Sequence, residues 1–381
     1  MRKRKVILVF GTRPEAVKMC PLVLELQKSE DIQTQVCLSG QHRQMLDQVM
    51  GIFGIRAEHD LDIMRPGQTL TGITMLVLEK FQEVLIKEKP DLVLVHGDTS
   101  TSFAAALAAF YQKVPVGHVE AGLRTYDKYL PFPEEMNRNL TAKIAQLHFA
   151  PTAGNKENLA KENITQQVYV TGNTVIDAFH TTIKKNYVFQ NETLKNMDLR
   201  KAKCVVVTAH RRENLGKPLE SICRAVRRLA CKYKDMVFVY PLHLNPAVTD
   251  TAGGLLGDLQ NVHLIPPVDV QDMHNLISQS YLVMTDSGGL QEEAPACGVP
   301  VLVLRAETER PEAVQAGTVK VIGTKEDRIC QEAAKLIENR QEYEKMAKAA
   351  NPYGDGHACE RIAGHIYDWI RMQESNGDCG T

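Results

Sequence analysis

Val6-Ile7-Leu8-Val9-Phe10-Gly11-Thr12-Arg13-Pro14-Glu15 decides the fold class. Five apolar residues in a row, with no polar alternation, describe a strand covered on both faces. Gly11 then lets the backbone turn closely, and Pro14 suits a first helical turn, where its missing N–H would have no intrahelical partner. A strand that runs straight into a helix is half of a βαβ unit. The helix N-terminus, with Arg13 and Lys18, suits a phosphate or carboxylate, although a plain β-to-α turn with a surface arginine fits the same residues.

The rhythm recurs along the chain. Apolar runs at Thr34–Leu38, Leu92–His96, Val114–Val119, Leu147–Ala150 and Val168–Val170 predict further strands. Helical patterns at Pro14–Ser29, Gln41–Phe53, Thr69–Lys87, Ser102–Tyr111 and Glu134–Ile144 lie between them. The polar stretch 185–201 has no sustained period and is expected to be a linker. Strands at Cys204–Thr208, Val237–Tyr240, Val262–Leu264, Tyr281–Thr285 and Val299–Leu304 come after it. The expected organisation is therefore an α/β chain of two doubly wound, Rossmann-like domains, 1–184 and 202–355, facing a cleft at their strand ends. Residues 356–381 are expected to form a final helix, returning to the first domain or not, and a tail.

A chain of 381 residues is long enough for two such cores. With 44% hydrophobic and 24% charged residues and a net charge of −1, it lacks the basic excess of a nucleic-acid or membrane-surface binder. The nine cysteines include no C-x-x-C pair, and no metal-ligand spacing appears. The basic start Arg2-Lys3-Arg4-Lys5 is followed by an apolar run too short for a signal peptide, and no run reaches the roughly 20 apolar residues of a membrane helix. The expectation is a cytoplasmic protein.

Chemistry collects at strand ends. His96-Gly97-Asp98-Thr99 offers Asp98 as a helix cap or as an acid/base group. Glu120-Ala121-Gly122-Leu123-Arg124 places Glu120 where another strand stops. In Glu134-Glu135-Met136-Asn137-Arg138, Glu134 and Arg138 are four apart, so a surface ion pair and a functional pair both fit. Three carboxylates on one side of one domain point to proton transfer. In the second half, Ala209-His210-Arg211-Arg212-Glu213 suits a diphosphate, or holds a structural histidine. Ser287-Gly288-Gly289-Leu290-Gln291-Glu292-Glu293 reads as an anion nest, with Glu293 one turn on, placed to accept from ribose hydroxyls. Arg305 and Arg310 add positive charge. No G-x-G-x-x-G follows a strand and no Walker sequence occurs, so neither fingerprint calls for a cofactor.

These motifs, with Thr171-Gly172-Asn173-Thr174 and Glu309-Arg310-Pro311-Glu312, resemble in order those of the non-hydrolysing UDP-N-acetylglucosamine 2-epimerases, over nearly the whole chain. The resemblance implies a glycosyltransferase-B-type fold and a homodimer that interconverts UDP-N-acetylglucosamine and UDP-N-acetylmannosamine for polysaccharide precursors. It implies no cofactor and no metal; UDP leaves to give 2-acetamidoglucal and then re-adds. By the resemblance, Asp98, Glu120, Glu134 and His210 are catalytic. Arg13, Lys18, Arg138, Ser287, Gly288, Gly289, Glu293 and Arg310 bind substrate. Val268 and Met273 stand where one branch of the family has Gln and Phe near the uracil. Gln41, Gln44, Arg211 and His243 resemble an allosteric site for a second UDP-N-acetylglucosamine, but Gly67 replaces an arginine of that site. A hydrolysing relative would release free sugar, a glycosyltransferase would need an acceptor, and a non-catalytic sensor would tolerate loss of the three carboxylates.

Overall fold

The computed structural model describes residues 2–40, 43–65, 67–199 and 201–377, and of 43–45 and 374–377 the backbone alone. The chain divides into two compact units, Met1–His180 with Tyr353–Thr381 and Thr181–Pro352.

The first unit holds β1 (Arg4–Phe10), β2 (Ile32–Leu38), β3 (His59–Asp60), β4 (Leu92–His96), β5 (Val116–Val119), β6 (Leu147–Ala150) and β7 (Val168–Val170). They form one parallel sheet in the order β3-β2-β1-β4-β5-β6-β7. The second unit holds β8 (Lys203–Thr208), β9 (Met236–Pro241), β10 (Val262–Ile265), β11 (Leu282–Thr285), β12 (Val301–Val303) and β13 (Val319–Val321), parallel in the order β10-β9-β8-β11-β12-β13. Strand order reverses between β1 and β4 in one sheet and between β8 and β11 in the other. Such switch points open a crevice at the carboxyl ends of the strands.

The central strands are apolar on both faces because helices cover both. In the first unit Ile7, Val9, Val93 and Val95 pack with Val77, Phe81 and Leu85 of helix Leu70–Glu88 and with the alanines of helix Ser100–Tyr111. Phe81 is fully buried, a site where truncation to alanine costs about 3–5 kcal/mol. In the second unit Val205, Val207, Phe238, Tyr240 and Met284 pack against Leu219, Ile222, Val226 and Leu229 of helix Lys217–Lys232. Those four recur at helical spacing.

The segment 185–201 is not a free linker. It belongs to the second unit, because buried Asp272 accepts from Tyr187 Oη, Gln190 N and Asn191 N at 2.7–2.9 Å. The expected boundary at residue 355 also moves, since the chain re-enters the first unit at Tyr353. The Tyr353 carbonyl accepts from Asn173 N at 2.7 Å. Helix Ala358–Gly377 completes that unit by packing on helix Arg13–Leu26. Its first turn is held by Asp177, which accepts from Ala358 N and Cys359 N, and His365 stacks on Tyr169 of β7 at 3.8 Å.

Strand ends also differ from the sequence pattern. β5 starts only at Val116, because Val114 N still bonds Ala109 O of the preceding helix. β12 starts after Pro300, which has no N–H for the ladder. The short strands β3 and β13, at sheet edges, carry no apolar run to announce them. No helix among the described residues is long and apolar enough to cross a membrane.

Candidate active site

The loops after β1, β4 and β5 converge at the switch point of the first unit, and buried Glu15 joins two of them. Its Oε2 accepts from Gly11 N (3.1 Å), Thr12 N (2.8 Å) and Thr12 Oγ1 (2.8 Å). Its Oε1 accepts from Thr99 Oγ1 (2.8 Å) and Ser102 Oγ (3.0 Å). Glu15 is the third residue of helix Arg13–Leu26, whose cap is Thr12, so the same carboxylate completes a capping box and fastens that loop to the start of the β4 helix. Arg13 is the first residue of this helix.

Asp98 is not the cap of helix Ser100–Tyr111. Thr99 is, accepting from Ser102 N at 3.1 Å, which leaves the Asp98 carboxylate for other work. Asp98 Oδ2 accepts from Arg138 Nη2 at 2.6 Å, and Asn137 Nδ2 donates to the Asp98 carbonyl. Arg138 also meets Glu135 at 3.3 Å, so its partners are Asp98 and Glu135 rather than Glu134. Glu135, almost fully buried, in turn accepts from Thr125 N and Tyr126 N and fixes the loop that precedes its helix.

Glu120 turns at φ +64°, a left-handed conformation that costs a non-glycine residue roughly 1 kcal/mol or more. The next residues hold it there. Ala121 N bonds Phe149 O, and a Cβ at Gly122 would lie 2.2 Å from Asn155 O. Glu120 Oε2 pairs with Lys18 Nζ, accepts from Asn173 Nδ2 at 3.2 Å and lies 3.5 Å from His96 Nε2.

The two carboxylates are driven apart. Burial raises the proton affinity of Asp98, the Glu120 and Glu134 charges add to that rise, and Arg138 only partly opposes it. That direction holds although 26% of the Asp98 side chain is exposed, because the two other carboxylates bear on it directly. Burial would also raise Glu120, but the Lys18 ammonium and His96 reverse this and hold it well below the usual carboxylate range. Beneath them, fully buried His118 Nε2 donates to the Gly97 carbonyl at 2.7 Å. Burial pushes His118 down to about 3 and His148, on the neighbouring strand β6, down to about 4, so both are neutral. Glu134 Oε2, Arg138 Nε and His96 Nε2 are buried with no hydrogen-bond partner, a concentration of unspent polar atoms that suits a site awaiting a polar ligand.

The second unit repeats the arrangement at β8 and β11. Asp286, with no exposed surface, accepts through Oδ2 from His210 N (2.8 Å), Arg211 N (2.8 Å) and Asn214 Nδ2 (3.0 Å). Ser287 precedes helix Gly288–Ala296 and makes no side-chain cap bond. A Cβ built on Gly288 would lie 3.7 Å from Arg211 Nη2, 3.8 Å from Glu309 Oε2 and 3.9 Å from Arg310 Nη2. Two guanidinium groups therefore surround the helix N-terminus. Arg310 is aimed by buried Glu292, which takes its Nε. Arg305 is bound to Glu213 and Glu309, and so is not spare positive charge. Glu293 Oε1 would sit 3.2 Å from a Cβ on Gly289, and its Oε2 is 3.6 Å from His274 Nε2. His243 stacks on His210 with centroids 5.4 Å apart. Val268 is buried.

The structure thus gathers Lys18, Asp98, Glu120 and Arg138 in the first unit, and His210, Arg211, His243, Gly288 and Arg310 in the second. Gln41 and the Gln44 side chain lie outside the described residues, and Gly67 is exposed at φ +69°. Sequence reading assigned no role to Glu15, Glu135, Asp286 or Glu292. Glu15, Glu135 and Asp286 are acids at or near a helix start, where a cap or dipole partner is the ordinary interpretation, and Glu292 lies mid-helix, where a surface ion pair is. Among the described residues no group of three His, Cys, Asp or Glu is arranged to hold a metal ion.

Two parallel α/β units with charged groups at their strand ends define the glycosyltransferase-B architecture. The fold alone is shared with the glycotransferase of kitacinnamycin, at 13% identity and a TM-score of 0.65. The UDP-N-acetylglucosamine 2-epimerase family model matches residues 24–367, and the chain belongs to this family of isomerases. It is 53% identical to the UDP-N-acetylglucosamine 2-epimerase of Bacillus subtilis (strain 168), over 95% of this chain and 94% of that one. The crystal structure of the Neisseria meningitidis UDP-GlcNAc 2-epimerase bound to UDP-GlcNAc is 50% identical with a TM-score of 0.84, covering 96% of this chain and 100% of that one. The S. aureus MnaA–UDP structure is 48% identical with a TM-score of 0.87, covering 97% of each chain.

Proposed function

We propose that the protein interconverts UDP-N-acetylglucosamine and UDP-N-acetylmannosamine by eliminating UDP and adding it back. The observation that carries this reading is the opposed pair Asp98 and Glu120. Carboxyl groups in one cluster whose environments push their proton affinities apart divide the tasks of proton transfer and charge stabilisation.

The C2 hydrogen of the sugar is a weak acid, because no carbonyl adjoins it. Loss of UDP from C1 builds positive charge beside it and makes the proton removable. The C2–H pair forms the C1–C2 double bond, the C1–O pair leaves with UDP, and the proton goes to a carboxylate. Return of a proton to the other face, with re-addition of UDP, gives the epimer. Asp98, which keeps a proton more readily than an ordinary aspartate, suits proton transfer. Glu134, with one buried oxygen unpartnered, is the second candidate. Glu120 is held anionic by Lys18 and suits stabilisation of the developing positive charge. Arg211, Arg310 and the N–H groups at Gly288 and Gly289 suit the leaving pyrophosphate, whose charge grows as the bond breaks.

Incubation with UDP-N-acetylglucosamine in D₂O tests the reading. Deuterium at C2 of both epimers, without accumulation of free sugar, is expected. Retention of the C2 hydrogen through turnover would sink the elimination route.

A further inference from the structure

We propose that Asp286 is a positioning residue for His210, holding its imidazole with Nδ1 protonated so that Nε2 is left for the substrate; the use of Nε2 rests on the epimerase reading above. Asp286 directly follows β11 and His210 follows β8, the two neighbouring parallel strands between which the strand order of the second sheet reverses. The Asp286 carboxylate is fully buried, yet its two oxygens are used unequally. Oδ2 takes three donors, from His210 N, Arg211 N and Asn214 Nδ2. Oδ1 is buried and takes none. His210 Nδ1 lies 3.7 Å from it, just beyond hydrogen-bond range.

A buried acceptor left unpaired is costly, and a small rotation of His210 would satisfy it. The ring has room to move, since 39% of the side chain is exposed. Its plane is set from another side by His243, stacked at 14°, whose own Nδ1 accepts from Asn245 N. Among the described residues, the charged and titratable groups that bear on His210 are thus Asp286 from the loop after β11, His243 from the loop after β9, and adjacent Arg211. Burial lowers the proton affinity of His210, His243 and Arg211 lower it further, and Asp286 alone raises it. A carboxylate that accepts from one ring nitrogen fixes the tautomer and keeps the other nitrogen directed at its task. The same carboxylate fastens the backbone of the His210–Arg211 turn, so ring and turn share one anchor.

The substitution Asp286→Asn separates anchoring from orientation. The three donors at Oδ2 require the amide oxygen there, which keeps the turn. The amide NH₂ then takes the Oδ1 place and confronts Nδ1 with a donor. Nitrogen-15 NMR of His210 in the full-length wild type is expected to find Nδ1 protonated in the neutral ring. In D286N the proton moves to Nε2 and the His210 pKa falls by about one unit. Turnover by D286N is expected to fall about 100-fold while UDP affinity stays within threefold. In an H210N background, D286N is expected to cost less than a further threefold. Finding Nε2 protonated in the wild type would overturn the proposal, and so would an equal D286N loss with and without His210. Should D286N fail to fold, the wild-type spectrum decides alone. That spectrum needs no turnover, so failure of the tautomer assignment is distinct from failure of the epimerase reading, which the D₂O exchange of the wild type reports.

Discussion

Replacing Glu15 tests whether a single buried carboxylate unites the strand-end loops of the first unit. In Glu15→Ala the five donors lose their acceptor. The hydroxyls can compensate, since Ser102 Oγ already lies 2.5 Å from the His96 carbonyl and Thr99 Oγ1 lies 3.0 Å from Ser102 Oγ. The N–H groups of Gly11 and Thr12 cannot, and each unsatisfied buried donor costs roughly 1–3 kcal/mol. A loss of about 4 kcal/mol is expected. In Glu15→Gln the amide oxygen can serve Gly11 and Thr12 while the NH₂ donates to the Thr99 and Ser102 oxygens after both hydroxyls rotate. The bonds survive but lose their charge, so roughly 1–2 kcal/mol is expected. Urea unfolding of both full-length variants, followed by circular dichroism at neutral pH, measures the two numbers. Because Thr99 follows Asp98 directly, E15Q should also lower turnover about tenfold with UDP affinity unchanged. An E15A loss below about 1 kcal/mol, or one equal to that of E15Q, would refute the reasoning.

Three further outcomes are expected. His118 and His148 are neutral when folded but take up protons near pH 6.5 when unfolded, so stability is full above that pH and declines as pH falls toward about 4 and about 3. Each contributes a slope of about 1.4 kcal/mol per pH unit, and a urea midpoint unchanged between pH 6.5 and 4.5 would contradict this. In Gly288→Ala the new Cβ meets nothing closer than 3.7 Å, so the fold should be kept, while the methyl group stands where a phosphate would approach. Calorimetry should find UDP bound at least tenfold more weakly with an unchanged melting temperature, and affinity within twofold of wild type counts against the nest. Glu120→Gln should abolish C2 deuterium exchange while leaving UDP affinity within threefold; exchange at the wild-type rate would remove Glu120 from the chemistry.

Strand identity was legible because a strand covered by helices on both faces must be apolar throughout, as Val6–Phe10 and Leu92–Val95 are. Partnership was less legible. Asp98 reads equally as a cap or a reactant until Thr99 is seen to do the capping. Glu134 and Arg138 have ideal helical spacing, yet the arginine pairs with Glu135, three residues before it, and with Asp98 from another loop, a partner that helical spacing does not announce. Glu15 and Asp286 escaped notice for a related reason. The Thr12–Glu15 capping box is local, but the Thr99 donor to Glu15 and the Arg211 donor to Asp286 come from about 85 and 75 residues away in sequence, and no local pattern encodes that closure. The stretch 185–201 misled through composition, since what ties it to Asp272 is the Tyr187 hydroxyl and two backbone N–H groups, at Gln190 and Asn191, which side-chain polarity does not report.

The return of the chain at Tyr353 bears on how the molecule is made. Residues 181–352 are contiguous and can form their sheet while the C-terminal residues are still within the ribosome. The first unit emerges earlier but must wait, because Cys359, Ile362, Ile366 and Trp369, all buried in its last helix, are translated at the end. Until then the face of helix Arg13–Leu26 that receives them is uncovered apolar surface. Vectorial synthesis therefore finishes the later unit first, and a nascent chain stalled shortly after Pro352 would carry a complete second unit and an unsealed first one.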